Sequence, residues 1–378
     1  MVECGQMVAA AYASKLLADL GAEVIKVESS AGDPARRRGP FPGGVADPDC
    51  SGLFLYLNTN KRGVTLDVAA PRGRDALAAL LRDADLVVHN VPPADMAAHG
   101  LDYAALAAVN PKLVMTSITP YGLEGRRRDW QATDLTLWNA GGIAYLNGGG
   151  HEAEDLPPLK PYGAQSEFQG GVNAAVASMG ALLARRTTGR GQHVVVSIQQ
   201  ALAAILELTF EYWPYQGLIA SRLGRKPIQP LDFLECRDGW VFICCVEEHQ
   251  WQEFIRMIGS PEWADIELFA DRLSRGANWD ALKLFLQEWA SEQSVAEVYA
   301  AAQHRRIPFA PVSTMGDLLA SPHLKARGFF ATLDVAGARV TVPGAPYKLS
   351  ATPWAIRRPA PRLGEHTADV LREVGLDA

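Results

Sequence analysis

The chain has 378 residues, of which 48% are hydrophobic and 21% are charged, proportions typical of a folded globular protein and not of a disordered one. Its 36 lysine and arginine residues and 42 aspartate and glutamate residues give a formal net charge of −6, which disfavours general nucleic-acid binding. No apolar run approaches the roughly 18 residues of a membrane-spanning helix, so we expect no membrane partner. The five cysteines are odd in number and include no CxxC pair, which predicts reduced thiols, no metal site and a cytoplasmic location.

The first 120 residues alternate between helix and strand patterns. Apolar spacing predicts helices in YASKLLADLGA, PRGRDALAALLRDA and LDYAALAAVNP, and strands in AEVIKVE, KRGVTLDV, ADLVVHNV and KLVMTSI. Helices between successive strands are typical of an α/β fold with a parallel, doubly wound sheet. Such sheets bind ligands at the carboxyl ends of their strands. The residues expected near those ends are Glu28, Asp67, Asn90 and Ile118.

The middle and end of the chain change in character. A helix rich in Gly, Ala and Ser is predicted over residues 170–186, followed by the strand HVVVSI and by one helix over QQALAAILELTFEYW. Residues 223–227 have the composition of a linker, and residues 232–310 predict a smaller α+β domain. The tail from Met315 predicts two helices and one strand, LDVAGARVTVP.

The sequence lacks the usual nucleotide-binding motifs, since it contains no GxxxxGK[ST] and no GxGxxG after the first strand. His151 and Glu152 follow a glycine-rich turn and are expected in a solvated loop, not in a metal site. Two basic triplets, residues 36–38 and 126–128, stand out in an acidic protein. They are either solvated loops or part of a site for a small polyanion that carries phosphates.

Several segments taken together resemble the class III coenzyme A transferases, the family of formyl-CoA transferase, carnitine CoA-transferase and the α-methylacyl-CoA racemases. In chain order these segments are LLADLGAEVIKVE, GDPARR, LNTNKRGVTLD, DLVVHN, TGRGQHVVVS, RIPFAPV, SPHLKARGFF, PGAPYKLS and LGEHTADVL. They extend over nearly the whole chain. The resemblance implies an interlocked homodimer, with a Rossmann-like, CoA-binding large domain from residues 1–222 and 315–378 and a small α+β domain from residues 223–314.

The resemblance also implies an activity, the transfer of CoA between an acyl-CoA and a carboxylic acid by a catalytic aspartate that attacks the thioester. In the family this aspartate stands at a set spacing before the TGxGQ turn. The same count back from Thr188 ends at Glu167, and Gly171 follows four residues later as the family pattern requires. Glu167 is therefore expected in the nucleophile position, with glutamate in place of aspartate. The alternative is a simple charge at the start of the helix predicted from Gly170, where a carboxylate is favoured.

Asp134 is a second candidate for the catalytic group. The racemase branch of the family carries a His-Asp pair, but Thr133 occupies the histidine position here and cannot exchange a proton at neutral pH. A two-base racemase is thus disfavoured, and Asp134 is either a base or a helix N-cap. Other acyl-CoA chemistry on this scaffold (racemase, hydrolase or lyase) and a CoA-binding protein without activity remain as alternatives to transfer.

Contacts with CoA are implied at further positions. Asn90 is a candidate partner of the nucleotide, and Lys61 and Arg62 suit phosphates, although a structural ion pair explains these two basic residues equally well. Other matched positions approach CoA through the backbone, by packing or from the loop after the second strand. These are Val8, Ala9, Arg36, Leu66, Val91 and Thr133.

Overall fold

A computed structural model describes residues 1–148, 155–222, 228–335 and 337–376. The chain divides into two compact units. The first comprises Met1–Asn147, Pro158–Ala220 and Gly328–Ala378, and the second comprises Gly148–Pro157 and Ser221–Arg327. The linker predicted at 223–227 lies outside the described residues. None of the helices in the described ranges combines the length and the apolar character needed to span a bilayer.

The first unit is built on a parallel sheet. Its elements up to residue 216 are β1 (Val2–Cys4), α1 (Ala9–Asp19), β2 (Val24–Glu28), α2 (Gly52–Leu57), β3 (Lys61–Thr65), α3 (Pro71–Arg82), β4 (Leu86–His89), α4 (Tyr103–Val109), β5 (Val114–Thr119), α5 (Asp134–Ala140), α6 (Ile143–Leu146), α7 (Gln165–Thr188), β6 (His193–Ser197), α8 (Ile198–Ala203) and α9 (Glu207–Gln216). The strands pair in the order β3-β2-β1-β4-β5-β6, each parallel to its neighbours. This is a doubly wound, Rossmann-like order whose direction switches between β1 and β4. The predicted parallel sheet is confirmed.

The second unit is smaller and combines an antiparallel sheet with helices, as the sequence predicts. Its elements are β7 (Leu231–Cys236), β8 (Gly239–Cys244), α10 (Glu248–Met257), α11 (Arg272–Ala277), α12 (Trp279–Ser291), α13 (Val295–His304), β9 (Ala310–Pro311), α14 (Met315–Ala320) and α15 (Pro322–Ala326). The strand order is β7-β8-β9, and Trp251, Phe254 and Leu282 lie in the core. The chain then contributes β10 (Phe330–Val335), β11 (Ala338–Pro343) and α16 (Thr367–Glu373) to the first unit.

Two predicted elements after residue 190 are corrected. The single helix expected over 199–213 is split into α8 and α9, because Glu207 has a left-handed φ of 46° that interrupts the helical path. The single strand expected over 333–343 is the hairpin β10–β11, with Gly337 at a φ of 81° in its turn. In both cases the apolar pattern continues across an interruption that depends on one backbone angle.

Two glycines let α7 approach its neighbours closely. A Cβ atom on Gly171 would lie 2.8 Å from the carbonyl oxygen of Ala9, and one on Gly170 would lie 2.8 Å from Cγ1 of Ile198. Both distances are too short for any side chain, so only glycine permits this packing. As a result, the first turn of α7 lies against the N-terminus of α1.

Candidate active site

A cavity of about 890 Å³ lies at the carboxyl end of the parallel sheet. Its wall combines residues that follow β1 to β5 with the first turns of α5 and α7, all within the first unit. The strand-end residues that the sequence predicts are all part of this wall, namely Glu28, Asp67, Asn90 and Ile118. The cavity therefore occupies the switch point between β1 and β4, the place where sheets of this topology bind their ligands.

Glu167 reaches this cavity from α7. The helix begins at Gln165, five residues before the predicted start, so Glu167 lies inside its first turn. Its Oε2 atom accepts a hydrogen bond of 3.1 Å from the backbone amide of Val8, the N-cap residue of α1. Two helix N-termini thus meet at one carboxylate, which is a favourable place for negative charge.

The surroundings of Glu167 change the pKa of its carboxyl group. Burial raises the pKa of the carboxyl group above its usual value, the backbone amides of Val8 and Ala9 act in the opposite direction, and the charges of Asp134 and Asp33 raise the pKa further. A carboxylate with a perturbed pKa in a ligand cavity is typical of a functional group.

Asp134 lies beside Glu167, but one oxygen of its carboxylate is hydrogen-bonded and the other is ion-paired. Oδ1 accepts the backbone amides of Ser166 at 2.7 Å and Glu167 at 3.3 Å, and Oδ2 lies 2.7 Å from the Lys160 ammonium. The N-cap of α5 is Thr133 and not Asp134. Asp134 instead caps α7 from a neighbouring helix, which explains why α7 starts earlier than its own sequence predicts. These partners make Asp134 less available than Glu167 as a reacting carboxylate.

The structure brings most of the expected site residues together. Those that line the cavity are Ala9, Leu66, Asn90, Val91, Thr133, Asp134 and Glu167. Val8 is fully buried behind the wall and contributes its backbone amide. The side chain of Asn90 is engaged by the protein itself, since it accepts from the Gln6 amide at 2.9 Å and donates to the Gln6 carbonyl at 2.8 Å.

Lys61 and Arg62, the expected phosphate contacts on β3, are not among the residues that line the cavity. Lys61 is completely buried, and its ammonium lies 2.7 Å from a carboxylate oxygen of Glu3. Arg62 binds both oxygens of Glu373, at 2.8 and 2.7 Å. Both basic residues form the structural ion pairs that the sequence leaves open as the alternative.

The two arginine triplets occupy different environments. Arg36 is buried, binds both oxygens of Glu28 at 2.7 and 2.8 Å, and stacks 3.7 Å from the ring centroid of Phe54, so it is not part of the cavity wall. Arg128 is exposed and lines the cavity, with its Nε atom 3.3 Å from Asp129. The hypothesis of a site for a polyanion therefore applies to Arg128 and not to Arg36.

Two residues with a part in the site were not identified from the sequence. Asp33 accepts the Met7 amide at 2.9 Å and lies 2.9 Å from the Lys26 ammonium. Its signal is the Asp-Pro step within GDPARR, a pattern typical of side chains that bind nearby backbone amides. Lys160, the partner of Asp134, carries no such signal, because it acts through a residue distant in sequence.

Histidine, cysteine and carboxylate side chains are the usual ligands of metal ions in proteins. Within the ranges described above, no group of three or more His, Cys, Asp or Glu side chains is placed to hold a metal ion. His151 and Glu152 lie outside those ranges. All five cysteines are free thiols.

The fold and the cavity together define an α/β protein in which a carboxylate with a raised pKa, that of Glu167, lies at the ligand-binding switch point of the sheet. A family model described as CoA-transferase family III matches residues 1–367. The chain belongs to the family III CoA-transferases, enzymes that transfer CoA between an acyl-CoA and a carboxylic acid. The family and the activity expected from the sequence are confirmed.

Individual relatives agree with this membership. The chain is 34% identical to succinyl-CoA:(R)-benzylsuccinate CoA-transferase subunit BbsE of Thauera aromatica, over 97% of this chain and 91% of that protein. It is 29% identical to succinate–glutarate CoA-transferase of Agrobacterium fabrum, over 99% of this chain and 94% of that protein. A solved CaiB/BaiF family protein from Brucella suis has a TM-score of 0.88 and 30% identity, covering 99% of this chain and 97% of that one.

Proposed function

We propose that this CoA-transferase works through Glu167, which attacks the acyl-CoA thioester as a covalent nucleophile. CoA occupies the cavity at the carboxyl end of the parallel sheet. The observation that carries the proposal is the position of the Glu167 carboxylate, inside that cavity and 3.1 Å from the Val8 amide. The family motif also points to residue 167. Asp134 supports the nucleophile by capping the helix on which it stands.

The reaction begins with attack of a Glu167 oxygen on the thioester carbonyl carbon. The C–S bond breaks, CoA leaves as a thiolate, and a mixed anhydride forms between Glu167 and the acyl group. The thiolate then attacks the Glu167 carbonyl, the C–O bond of the anhydride breaks, and the first acid leaves as a carboxylate. A glutamyl-CoA thioester remains on the enzyme.

The second acid reverses these two steps. Its carboxylate attacks the glutamyl thioester and displaces the CoA thiolate, and the thiolate then takes up the new acyl group and frees Glu167. No proton is consumed, so the reaction requires no general base, in agreement with the bound state of Asp134. Each attack on the Glu167 carbonyl places negative charge on its oxygen, and the Val8 amide is a hydrogen-bond donor at that atom.

The cavity wall offers groups that suit CoA. Leu66 and Val91 are apolar, which suits the pantetheine chain, and the Arg128 guanidinium supplies positive charge for phosphates. We assign CoA to this cavity and not to the surroundings of Lys61 and Arg62, because neither of these two residues lines the cavity.

For the acids, we propose a succinyl-CoA donor and a short dicarboxylic acceptor, because the names of the relatives specify succinyl-CoA or succinate with benzylsuccinate or glutarate. Mass spectrometry of a panel of acyl-CoA and acid pairs tests this. We expect a new acyl-CoA from succinyl-CoA and at least one dicarboxylate, without solvent deuterium at the α-carbon. Transfer restricted to monocarboxylates would contradict the proposed acids, and deuterium exchange without transfer would indicate proton-abstraction chemistry.

We also propose that the protein is the interlocked homodimer that the family resemblance implies. One face of α7 carries exposed apolar side chains at helical spacing, namely Val172, Val176, Met179 and Leu183, with exposed fractions of 38%, 68%, 50% and 64%. Such a continuous apolar stripe is unfavourable in water, and a second copy of the chain would cover it.

The substitution Val176→Glu places a charge in this stripe and is expected to prevent assembly of the dimer. Val109→Glu is the matched control, because Val109 is similarly exposed (64%) but ends α4 outside the stripe. Analytical ultracentrifugation at micromolar concentration should find dimers for the wild type and for Val109→Glu, but not for Val176→Glu. A monomeric wild type, or identical sedimentation of the two variants, would refute this assembly.

A cytoplasmic location forms part of the same proposal. The five cysteines are free thiols, and a reducing compartment keeps thiols in that state.

A further inference from the structure

The loop between β1 and α1 is held by side chains from several parts of the first unit. Five backbone atoms of residues 5–8 have such a partner. The pairs are Gly5 O with Lys26 Nζ (3.1 Å), Gln6 N with Asn90 Oδ1 (2.9 Å), Gln6 O with Asn90 Nδ2 (2.8 Å), Met7 N with Asp33 Oδ1 (2.9 Å) and Val8 N with Glu167 Oε2 (3.1 Å). The last of these pairs belongs to the proposed nucleophile.

Asn90 binds Gln6 in both directions, with its carbonyl oxygen as acceptor and its amide nitrogen as donor. This is the pairing that a neighbouring strand would offer, and it joins the end of β4 to the loop after β1. Gly5 is required for the packing of this loop on α1, because a Cβ at this position would lie 2.3 Å from Cβ of Ala10.

Asp33 holds the next residue in an unfavourable conformation. Met7 has a φ of 58°, in the left-handed region that residues with a side chain rarely adopt. Asp33 accepts the Met7 amide and is itself immobilised, since it is only 2% exposed, accepts the Ala35 amide at 2.8 Å and lies 2.9 Å from the Lys26 ammonium. Such a conformation persists only where its surroundings hold it.

We propose that Asn90 and Asp33 are positioning residues for the reaction: they hold the Gln6–Met7 segment so that the following amide, that of Val8, faces the Glu167 carboxylate. This inference rests on the proposed role of Glu167 as the nucleophile. It assigns Asn90 a function different from the nucleotide contact expected from the sequence, because both polar atoms of its side chain are bound to Gln6.

Loss of the contacts that Asn90 and Asp33 make with Gln6 and Met7 is expected to change the pKa of Glu167. The charged groups that face this carboxylate are Asp134 from α5, itself paired with Lys160, and Asp33 from the loop after β2, while α1 contributes the Val8 and Ala9 amides. Asn90 is neutral, so its replacement leaves every one of these charges in place. A misdirected Val8 amide stabilises the ionised carboxylate less, and Glu167 then takes up its proton at higher pH.

The test compares Asn90→Ala with Asn110→Ala. Asn110 is a matched control because its side chain also binds backbone on both polar atoms, donating to Leu81 O and Ala84 O and accepting from Lys112 N, away from the cavity. Three quantities are measured: the Kd for CoA by calorimetry, kcat for transfer, and the pH midpoint of carbodiimide labelling at Glu167 by peptide mass spectrometry. The labelling does not depend on activity.

For Asn90→Ala we expect a Kd within about threefold of the wild type, a kcat lower by about tenfold and a labelling midpoint higher by about half a pH unit. Asn110→Ala should change none of the three. If Asn90→Ala does not fold, Asn90→Leu keeps the number and branching of the side-chain heavy atoms, removes the same two hydrogen bonds and has the same expected results.

Two results would overturn the inference. A Kd raised about tenfold or more with an unchanged labelling midpoint would make Asn90 a ligand contact. Equal effects of the substitutions at Asn90 and Asn110 would make Asn90 merely structural. If the wild type transfers no CoA but the labelling midpoint is still higher in Asn90→Ala, Asn90 does position the Val8 amide. The proposal that Glu167 is the nucleophile would then be wrong.

Discussion

Replacement of Glu167 by glutamine is expected to abolish CoA transfer and to leave the Kd for CoA within about tenfold of the wild type. Glutamine keeps the size and the contact distance of the side chain but cannot form the mixed anhydride. Incubation with an acyl-CoA followed by borohydride should reduce a glutamyl thioester at residue 167 of the wild type. Peptide mass spectrometry should find this product in the wild type and not in Glu167→Gln.

Two further variants separate nucleophilic attack from the effect of a helix-end charge. Glu297→Gln removes a carboxylate from the equivalent position of α13, three residues after its N-cap, and should leave transfer unchanged. Glu167→Asp restores the residue type of the family but withdraws the carboxylate from the Val8 amide by about one bond length, and a displacement of about 1 Å costs ~100-fold in rate. Full turnover by Glu167→Gln would mean that the Glu167 carboxylate is only a charge at the start of α7. Asp134 would then be the next candidate for the catalytic group. Full turnover by Glu167→Asp would contradict the need for the Val8 contact.

The second large effect is expected at Glu3, where glutamine should lower the free energy of unfolding by about 3–5 kcal/mol. Glu3 is completely buried, and its two carboxylate oxygens each lie 2.7 Å from a lysine ammonium, one from Lys26 and one from Lys61. Removal of its charge leaves the two buried cations with too little compensation, although the shape of the side chain is kept. Urea unfolding followed by circular dichroism measures the change.

The same site predicts how stability depends on pH. Burial by itself would raise the pKa of Glu3, but the two ammonium groups outweigh it and lower the pKa from its usual 4.5 to about 2. The unfolded chain therefore binds this proton more readily than the folded chain, and the stabilisation, complete above about pH 4.5, is lost as the pH falls toward 2. Glu3→Gln should lack this part of the pH dependence.

Glu373→Gln is the control for Glu3. Glu373 also pairs with a basic residue, Arg62, at 2.7 Å, but its side chain is 56% exposed, so water and salt replace the interaction and no resolvable loss of stability is expected. Equal stability of Glu3→Gln and the wild type across this pH range would mean that the buried cations find other partners.

The sequence by itself determined the α/β class, the strands β2 to β6 of the parallel sheet and the carboxyl end of the sheet as the place of its ligand cavity, but not the three-residue central strand β1. This worked because buried parallel strands are short apolar runs that alternate with helices, a pattern that local spacing records. With the family motifs it also placed Glu167, since an ungapped count from Thr188 needs no knowledge of distant contacts. The structure shows that Glu167 lines a cavity formed by residues from five strand ends, and its role as the nucleophile stays a prediction.

Only the tertiary structure decided the partner of each polar side chain. Lys61 and Arg36 have the residue type of phosphate ligands, but Glu3 and Glu28 neutralise them inside the protein. The start of α7 depends on Asp134, more than thirty positions earlier, and the conformation of Met7 depends on Asp33. Local periodicity records which face of an element is buried. It does not indicate which polar group from a distant segment will pair with a buried polar side chain. Packing brings such groups together only when the chain has folded.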